Sequence, residues 1–199
     1  MRELQASDAS EWASACAGDG GALGILFDRH SPRVFRHALR LLSHRQDAED
    51  ATAAAFLELW RKRGQVRLVR ESVLPWLLVA TTNLSRNMAR STRRYRALLD
   101  ALPRSETSPS AADVLAAVPS DVLEHIDPEL AAAIRRLPKA SAALLALTAL
   151  EGMSTVDAAQ AMGMSPAAAR TRLSRARAQV RASLGESALD DELKEVRHG

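Results

Sequence analysis

Residues 165–184 read SPAAARTRLSRARAQVRASL. Ala169, Leu173, Ala176, Val180 and Leu184 recur at intervals of three or four, which lays apolar side chains along one stripe of an α-helix. Ser165 is a good N-cap and Pro166 suits the first helical position, so the start of this helix is defined. Five arginines sit in the segment, and no Asp or Glu occurs from Ala158 to Gly185. Such a helix has one side that must be buried and another whose positive charge has no counter-charge of its own.

The residues just upstream give it a context. In STVDAAQAMGMSPAAARTRL, Ser154 and Asp157 have capping-box spacing. Ala158, Ala159 and Ala161 are small enough for a second helix to pack close, and Gly163 supplies a turn. The pattern is a helix-turn-helix. In that motif the N-terminal part of the second helix reads base edges in the major groove. Its outward positions here are Ala167, Arg170, Thr171 and Ser174. Arginine can bind guanine O6 and N7 with two hydrogen bonds, and threonine offers a hydroxyl and a methyl. Arg172 and Arg175 lie on the far side of the stripe, and the later arginines suit phosphates. The plain alternative is an ordinary solvated helix face.

The rest of the chain points the same way. Aromatic residues make up 4% of its 199 residues, so alanine, leucine and valine must fill the core, and alanine favours helix most strongly. The expected fold is all-α, with two small helical domains joined by a flexible acidic linker. Short helical patterns cover Asp8 to Ala17 and then ALGILFDRHSPRVFRHALRLLS, which Pro32 should bend or restart. QDAEDATAAAFLELWRKR follows, with Asp47, Glu49 and Asp50 in its first turn and Arg61, Lys62 and Arg63 in its last. GQVRLVRES is a basic loop, and PWLLVATTNLSRNMARSTRRYRALL is a long helix opening on Pro75. Residues 99–128 have linker composition, with four prolines and a Ser/Thr cluster. Four short helices follow. The expected division is 1–98, linker 99–128, 129–185 and an acidic tail 186–199, which itself has the pattern of a short amphipathic helix through Leu189, Leu193 and Val196.

The net charge is only +3, but it is unevenly spread. Residues 61–98 hold ten Arg/Lys against Glu71, residues 99–134 hold Arg104 against seven acids, and 158–185 hold five arginines and no acid. Two basic patches separated by an acidic segment suggest two contacts with a polyanion. Cys16 is the only cysteine, so neither an internal disulfide nor a cysteine-based zinc site is available. The polar start MRELQASDASEW lacks the apolar run of a signal peptide, and no apolar stretch approaches a membrane span. A cytoplasmic protein without membrane insertion is expected.

No Ser/His/Asp set, paired catalytic carboxylates or phosphate-binding glycine loop is present, so an enzyme is not expected and no cofactor or metal is called for. His30, His37 and His44 recur every seven residues and read as a partly exposed stripe rather than a metal site. Trp76 stands among leucines and reads as core. Phe56 and Trp60, four apart on one helix face, read as core or partner-facing.

Several of these segments, in order, resemble an extracytoplasmic-function (ECF, group IV) RNA polymerase sigma factor of the sigma-70 family. DAEDATAAAFLELW (47–60) resembles region 2.2, and PWLLVATTNLSRNMAR (75–90) resembles the helix spanning regions 2.3 and 2.4. Leu137-Pro138 opens a stretch similar to region 4, and SPAAARTRLSRAR (165–177) resembles the recognition helix of region 4.2. The resemblance implies a factor that directs core polymerase to promoters, reads their −10 and −35 elements and assists melting. Asp47, Glu49, Asp50, Phe56 and Trp60 would face the clamp helices of the polymerase β′ subunit. Residues 64–72 would capture an unstacked base of the −10 element, and Asn83, Arg86, Asn87, Arg90 and Arg93 would hold the non-template strand. Region 4 would sit at the β flap and read the −35 duplex through Arg170, Thr171 and Ser174, with Arg172 and Arg175 on phosphates. The linker would thread the polymerase cleft. Members of the family are often held by an anti-sigma factor, and no residue of this sequence identifies one.

The chain departs from the family pattern at three places. Ala53, Ala54 and Ala55 stand where a polar pair usually precedes the Phe of region 2.2. Asp157-Ala158-Ala159 stands where Glu-Ile-Ala is usual, and Ala168-Ala169 stands where Thr-Val is usual. The first of these motivates an alternative: a sigma-like DNA-binding regulator that does not productively engage core polymerase. The other two lose apolar volume and imply a less stable region 4 or an atypical promoter sequence.

Overall fold

The computed structural model describes residues 7–42, 44–101 and 128–196. Among these the fold is helical throughout, apart from one isolated bridge between Val69 and Ser72. Four helices make the first unit: α1 (Ala9–Cys16), α2 (Gly20–Leu41), α3 (Arg45–Arg61) and α4 (Leu74–Ala101). Four make the second: α5 (Pro128–Arg136), α6 (Lys139–Ala149), α7 (Thr155–Ala161) and α8 (Pro166–Val196). The expected linker, residues 99–128, lies almost wholly outside the described residues.

Local chemistry sets these ends. The Asp19 carboxylate caps α2, accepting from the amides of Gly21 at 2.8 Å and Ala22 at 3.3 Å. Pro32 does not restart the helix, and α2 is continuous to Leu41. Proline removes the bond to the carbonyl four residues back, that of Asp28, but both residues are exposed and water can serve that carbonyl. α3 begins at Arg45, so only Asp47 falls in its first turn, and Glu49 and Asp50 lie beyond it. The backbone of α8 runs through Gly185 to Val196, so residues 186–196 continue the recognition helix instead of forming a separate tail helix.

The first unit packs around Trp12, Leu26, Val34, Phe56, Leu59 and Leu77, with Trp76 and Trp60 half-buried against them. Each fully buried leucine here contributes about 1.5–3 kcal/mol relative to exposure. The Phe27 ring meets Phe56 edge-on, centroids 4.8 Å apart. A smaller cluster, Ala38, Leu42, Ala48 and Ala51, joins the far end of α2 to α3. In the second unit, Ala133, Leu137, Ala142, Ala176 and Val180 join α5 and α6 to α8.

The two units share a core. Leu78 of α4 packs in one cluster with Leu144, Leu147, Ala158, Ala159, Ala169 and Leu173, and Leu74 and Val79 lie against it. Ala158 and Ala169, two of the alanines that depart from the expected pattern, are thus buried in this shared cluster, with Leu78 of α4 packed against them.

Candidate nucleic-acid interface

The helix-turn-helix forms as its sequence dictates. Ser154 Oγ accepts from the Asp157 amide at 3.1 Å and donates to the Asp157 carboxylate at 2.8 Å, so α7 starts on a side-chain cap. Gly163 turns the chain at a φ of 67°, a conformation that suits glycine. Ser165 Oγ accepts from the Ala168 amide at 3.2 Å and fixes the start of α8. Ala169, Leu173, Ala176 and Val180 are buried, and Leu184 is half-buried. The opposite face of α8 presents Arg170, Thr171, Arg172, Ser174, Arg175, Arg177 and Arg181, all exposed. Thr171 donates its hydroxyl to the Ala167 carbonyl at 3.1 Å, which leaves the oxygen as an acceptor on an exposed residue.

A second basic surface lies on the first unit. Between α3 and α4, Val66, Val69 and Val73 turn inward and are buried, whereas Arg67, Arg70 and Glu71 are exposed. Val69 and Ser72 exchange both backbone hydrogen bonds, each 3.1 Å, around a two-residue turn. Its central residues, Arg70 and Glu71, have φ of 50° and 57°, so both stand in the left-handed region without being glycine. Each such residue costs about 1–2 kcal/mol, which the surroundings must offset. On α4, Asn87 and Arg90 are exposed, and Asn83 and Arg86 are half-buried. The side chain of Arg93 lies outside the described residues.

On α3 the outward ridge runs through Gln46, Glu49, Asp50, Ala53, Leu57 and Arg61, all exposed. Asp47 is half-buried, and Glu49 pairs with Arg45 one turn back at 2.9 Å. Phe56 is only 4% exposed, so it supports this ridge from beneath and does not reach a partner. Trp60 is half-buried, with the Arg63 guanidinium over its ring at 4.4 Å. Sequence reasoning missed Leu57, which is 65% exposed. The available signal was its place four residues beyond Ala53, on the same side of α3 as Asp50.

Polar contacts also cross between the units. Glu151, in the loop before α7, reaches the first unit with a side chain that is almost fully buried. It accepts from Arg33 Nε at 3.2 Å, Arg40 Nη1 at 3.0 Å and His37 Nδ1 at 3.0 Å. Burial alone would raise the Glu151 carboxyl, but hydrogen bonding and charge from His37 and Arg33 outweigh it and hold the carboxyl below its ordinary value. His30 and His37 are buried, contrary to the exposed stripe expected from their spacing. Their partners, Asp8 and Glu151, are too far off in sequence for spacing to show. His44 lies outside α2, at the N-cap of α3.

Two arginines of the first unit's basic surface are engaged by the second. Arg70 Nε lies 2.9 Å from Asp157 Oδ1, and Arg86 donates to the Leu137 carbonyl at 3.1 Å. The arginine face of α8 makes no such contact and stays exposed.

Residues 26–95 match the family model for Sigma-70 region 2, and residues 128–180 match that for Sigma-70, region 4. The chain is 31% identical over 165 residues to the RNA polymerase sigma factor CarQ of Myxococcus xanthus, covering 83% of this chain and 90% of CarQ. It is 29% identical over 181 residues to the ECF RNA polymerase sigma factor SigM of Mycobacterium tuberculosis, covering 90% of this chain and 85% of SigM. Among solved structures, it is similar to CnrH in complex with the cytosolic domain of CnrY. The TM-score is 0.55 at 25% identity, with 90% of this chain and 97% of that chain covered.

Proposed function

The chain belongs to the sigma-70 family of RNA polymerase sigma factors, and from that premise we propose how its two units share the reading of a promoter. As a transcription initiation factor it brings core polymerase to promoter DNA. The second unit reads the −35 duplex through the N-terminal half of α8, with Arg170, Thr171 and Ser174 on base edges and Arg172 and Arg175 on phosphates. The carrying observation is the face of α8: five exposed arginines with no acid among them, fixed outward by the buried Ala169–Leu173–Ala176–Val180 stripe.

The first unit handles the −10 element. Its loop at 64–72 takes an unstacked base, and Asn83, Arg86, Asn87, Arg90 and Arg93 track the non-template strand. A basic loop feeding a basic helix suits single strands, where charge follows the backbone and a pocket catches the base. Unstacking costs a few kcal/mol, which pocket contacts must offset. The ridge Glu49–Asp50–Ala53–Leu57 of α3 docks on the clamp helices of the polymerase β′ subunit, with Phe56 beneath it. The second unit sits at the β flap.

The contacts of Arg70 and Arg86 to the second unit support a closed state that must open before the −10 surface is free. The likeness to CnrH in complex with the cytosolic domain of CnrY supports a protein partner that holds such a state, and an anti-sigma factor is the kind of partner the family resemblance implies.

The test is selection from a randomised duplex pool by core polymerase loaded with this chain. Two sequence blocks at fixed spacing are expected among the retained fragments. A single block, retained equally well by the chain without polymerase, would instead favour the DNA-binding regulator.

A further inference from the structure

We infer that Asp8 is a positioning residue for the −10 loop: its buried carboxylate holds the Arg70–Glu71 corner in the shape that receives the unstacked base. The inference rests on the reading of residues 64–72 given above, and it adds a residue that lies well outside the loop.

Asp8 stands at the N-cap of α1, where an aspartate usually caps its own helix. Here the side chain makes no cap bond and is turned toward the loop instead. Oδ2 accepts from the Ser72 hydroxyl at 2.7 Å, the Val73 amide at 3.0 Å and His30 Nε2 at 2.8 Å. Oδ1 accepts from Arg29 at 2.6 Å. The Asp8 backbone amide donates to the Glu71 carbonyl at 3.0 Å. One residue thus holds three consecutive loop residues, 71 to 73, from both its backbone and its side chain. The residue is 2% exposed, so these bonds are shielded from water. Burial alone would raise its carboxyl, but the bonds from His30, Ser72, Arg29 and Val73 outweigh it and hold the group well below the usual carboxylate range.

The corner it holds is the strained part of the loop. A two-residue turn with positive φ at both central positions ordinarily takes Asn-Gly or Asp-Gly. Arg70 and Glu71 do not favour it, so the conformation persists only where neighbours over-determine it. Val69 and Val73 fix the apolar side of the loop, and Asp8 fixes the polar side. His30 and Arg29 of α2 brace the carboxylate from behind. Nothing in this arrangement touches α8 or the outward ridge of α3, but it also ties α1 to α2 and, through Ser72, reaches the Leu74 amide at the start of α4, so core and −35 binding are measured beside the loop.

The experiment uses the full chain with core polymerase on a promoter fragment from the selection described above. Asp8→Asn keeps the shape but places an amide against donors from Ser72, Val73 and His30. It is expected to lower permanganate reactivity of the −10 thymines about tenfold, the worth of one hydrogen bond to a charged group. Faster amide exchange over residues 66–73 is expected with it, while core binding and −35 duplex binding stay at wild-type levels. Ser72→Ala removes one of the bonds with less risk to folding and is expected to act in the same direction, about threefold. It carries the test alone if Asp8→Asn does not fold. Parallel losses in core and −35 binding would overturn the inference, because they mark a role in the fold as a whole. Arg67→Ala separates the two layers. If it lowers reactivity and the Asp8 and Ser72 variants do not, the loop reads the base but Asp8 does not position it. If none of the three lowers reactivity, the loop reading falls and the inference falls with it.

Discussion

His37 and Glu151 meet across the boundary between the two helical units, with Nδ1 3.0 Å from the carboxylate. The other ring nitrogen of His37 lies 2.8 Å from Thr82 Oγ1. The carboxylate of Glu151 can only accept, so Nδ1 of His37 donates to it, and the Thr82 hydroxyl on the other side of the ring also lies 2.8 Å from the Leu78 carbonyl. The buried pair, with Arg33 and Arg40 on the same carboxylate, ties α2 and α4 to the loop before α7.

Removing one partner of such a group leaves the others buried and uncompensated. Glu151→Ala should destabilise the closed chain by about 3–5 kcal/mol. Denaturant unfolding measures the loss, and small-angle scattering should show a larger radius for the variant as the units separate. An unchanged radius together with unchanged stability would mean that the cluster does not hold the units.

Acid should act through the same carboxylate. The folded-state value of Glu151 is depressed, so its contribution is fully present above the ordinary carboxylate range and is lost as pH falls through the folded value. Asp8 shifts in the same direction. Stability should stay level with respect to these two groups above about pH 5 and decline below the ordinary carboxylate values near pH 4. Glu151→Gln should flatten the decline, and thermal unfolding at a series of pH values checks this.

The two classes of arginine on α8 should separate by salt. Arg170→Ala should cost about 1–3 kcal/mol on the selected −35 sequence and relax the preference at that position. Arg175→Ala should weaken binding to all duplexes and lower the salt slope by roughly one unit. Equal losses on specific and random DNA for Arg170→Ala would contradict its base-reading role.

Leu57 is the exposed apolar group on the proposed docking ridge. Leu57→Asp should lower affinity for core polymerase about thirtyfold, near 2 kcal/mol, as for a central interface residue. Its exposure predicts a change in fold stability within about 0.5 kcal/mol. Polymerase titration and unfolding, measured on the same preparation, separate the two.

The parts of this molecule readable from sequence are those whose physics is local. The stripe of α8, the Ser154 cap, the Gly163 turn and the Ser165 start all depend on neighbours within one or two turns. Whether Pro32 restarts α2 depends on exposure, which spacing does not report. The burial of His30 and His37 was hidden for a different reason. Their partners, Asp8 and Glu151, lie 22 and 114 residues away in sequence. Leu78 filling the space beside Ala158 and Ala159 is likewise a contact between units, so the small residues of α7 looked like lost volume when read alone. The loop at 64–72 showed its charge in sequence, but neither its left-handed corner nor the aspartate that holds it.

Run-off transcription tests the division of labour most directly. Purified core polymerase, the full chain and a fragment from the randomised selection should give a defined transcript that is absent without the chain. The transcript should be reduced when either sequence block is scrambled. No transcript and no co-migration of the chain with core polymerase would contradict its role in promoter recognition.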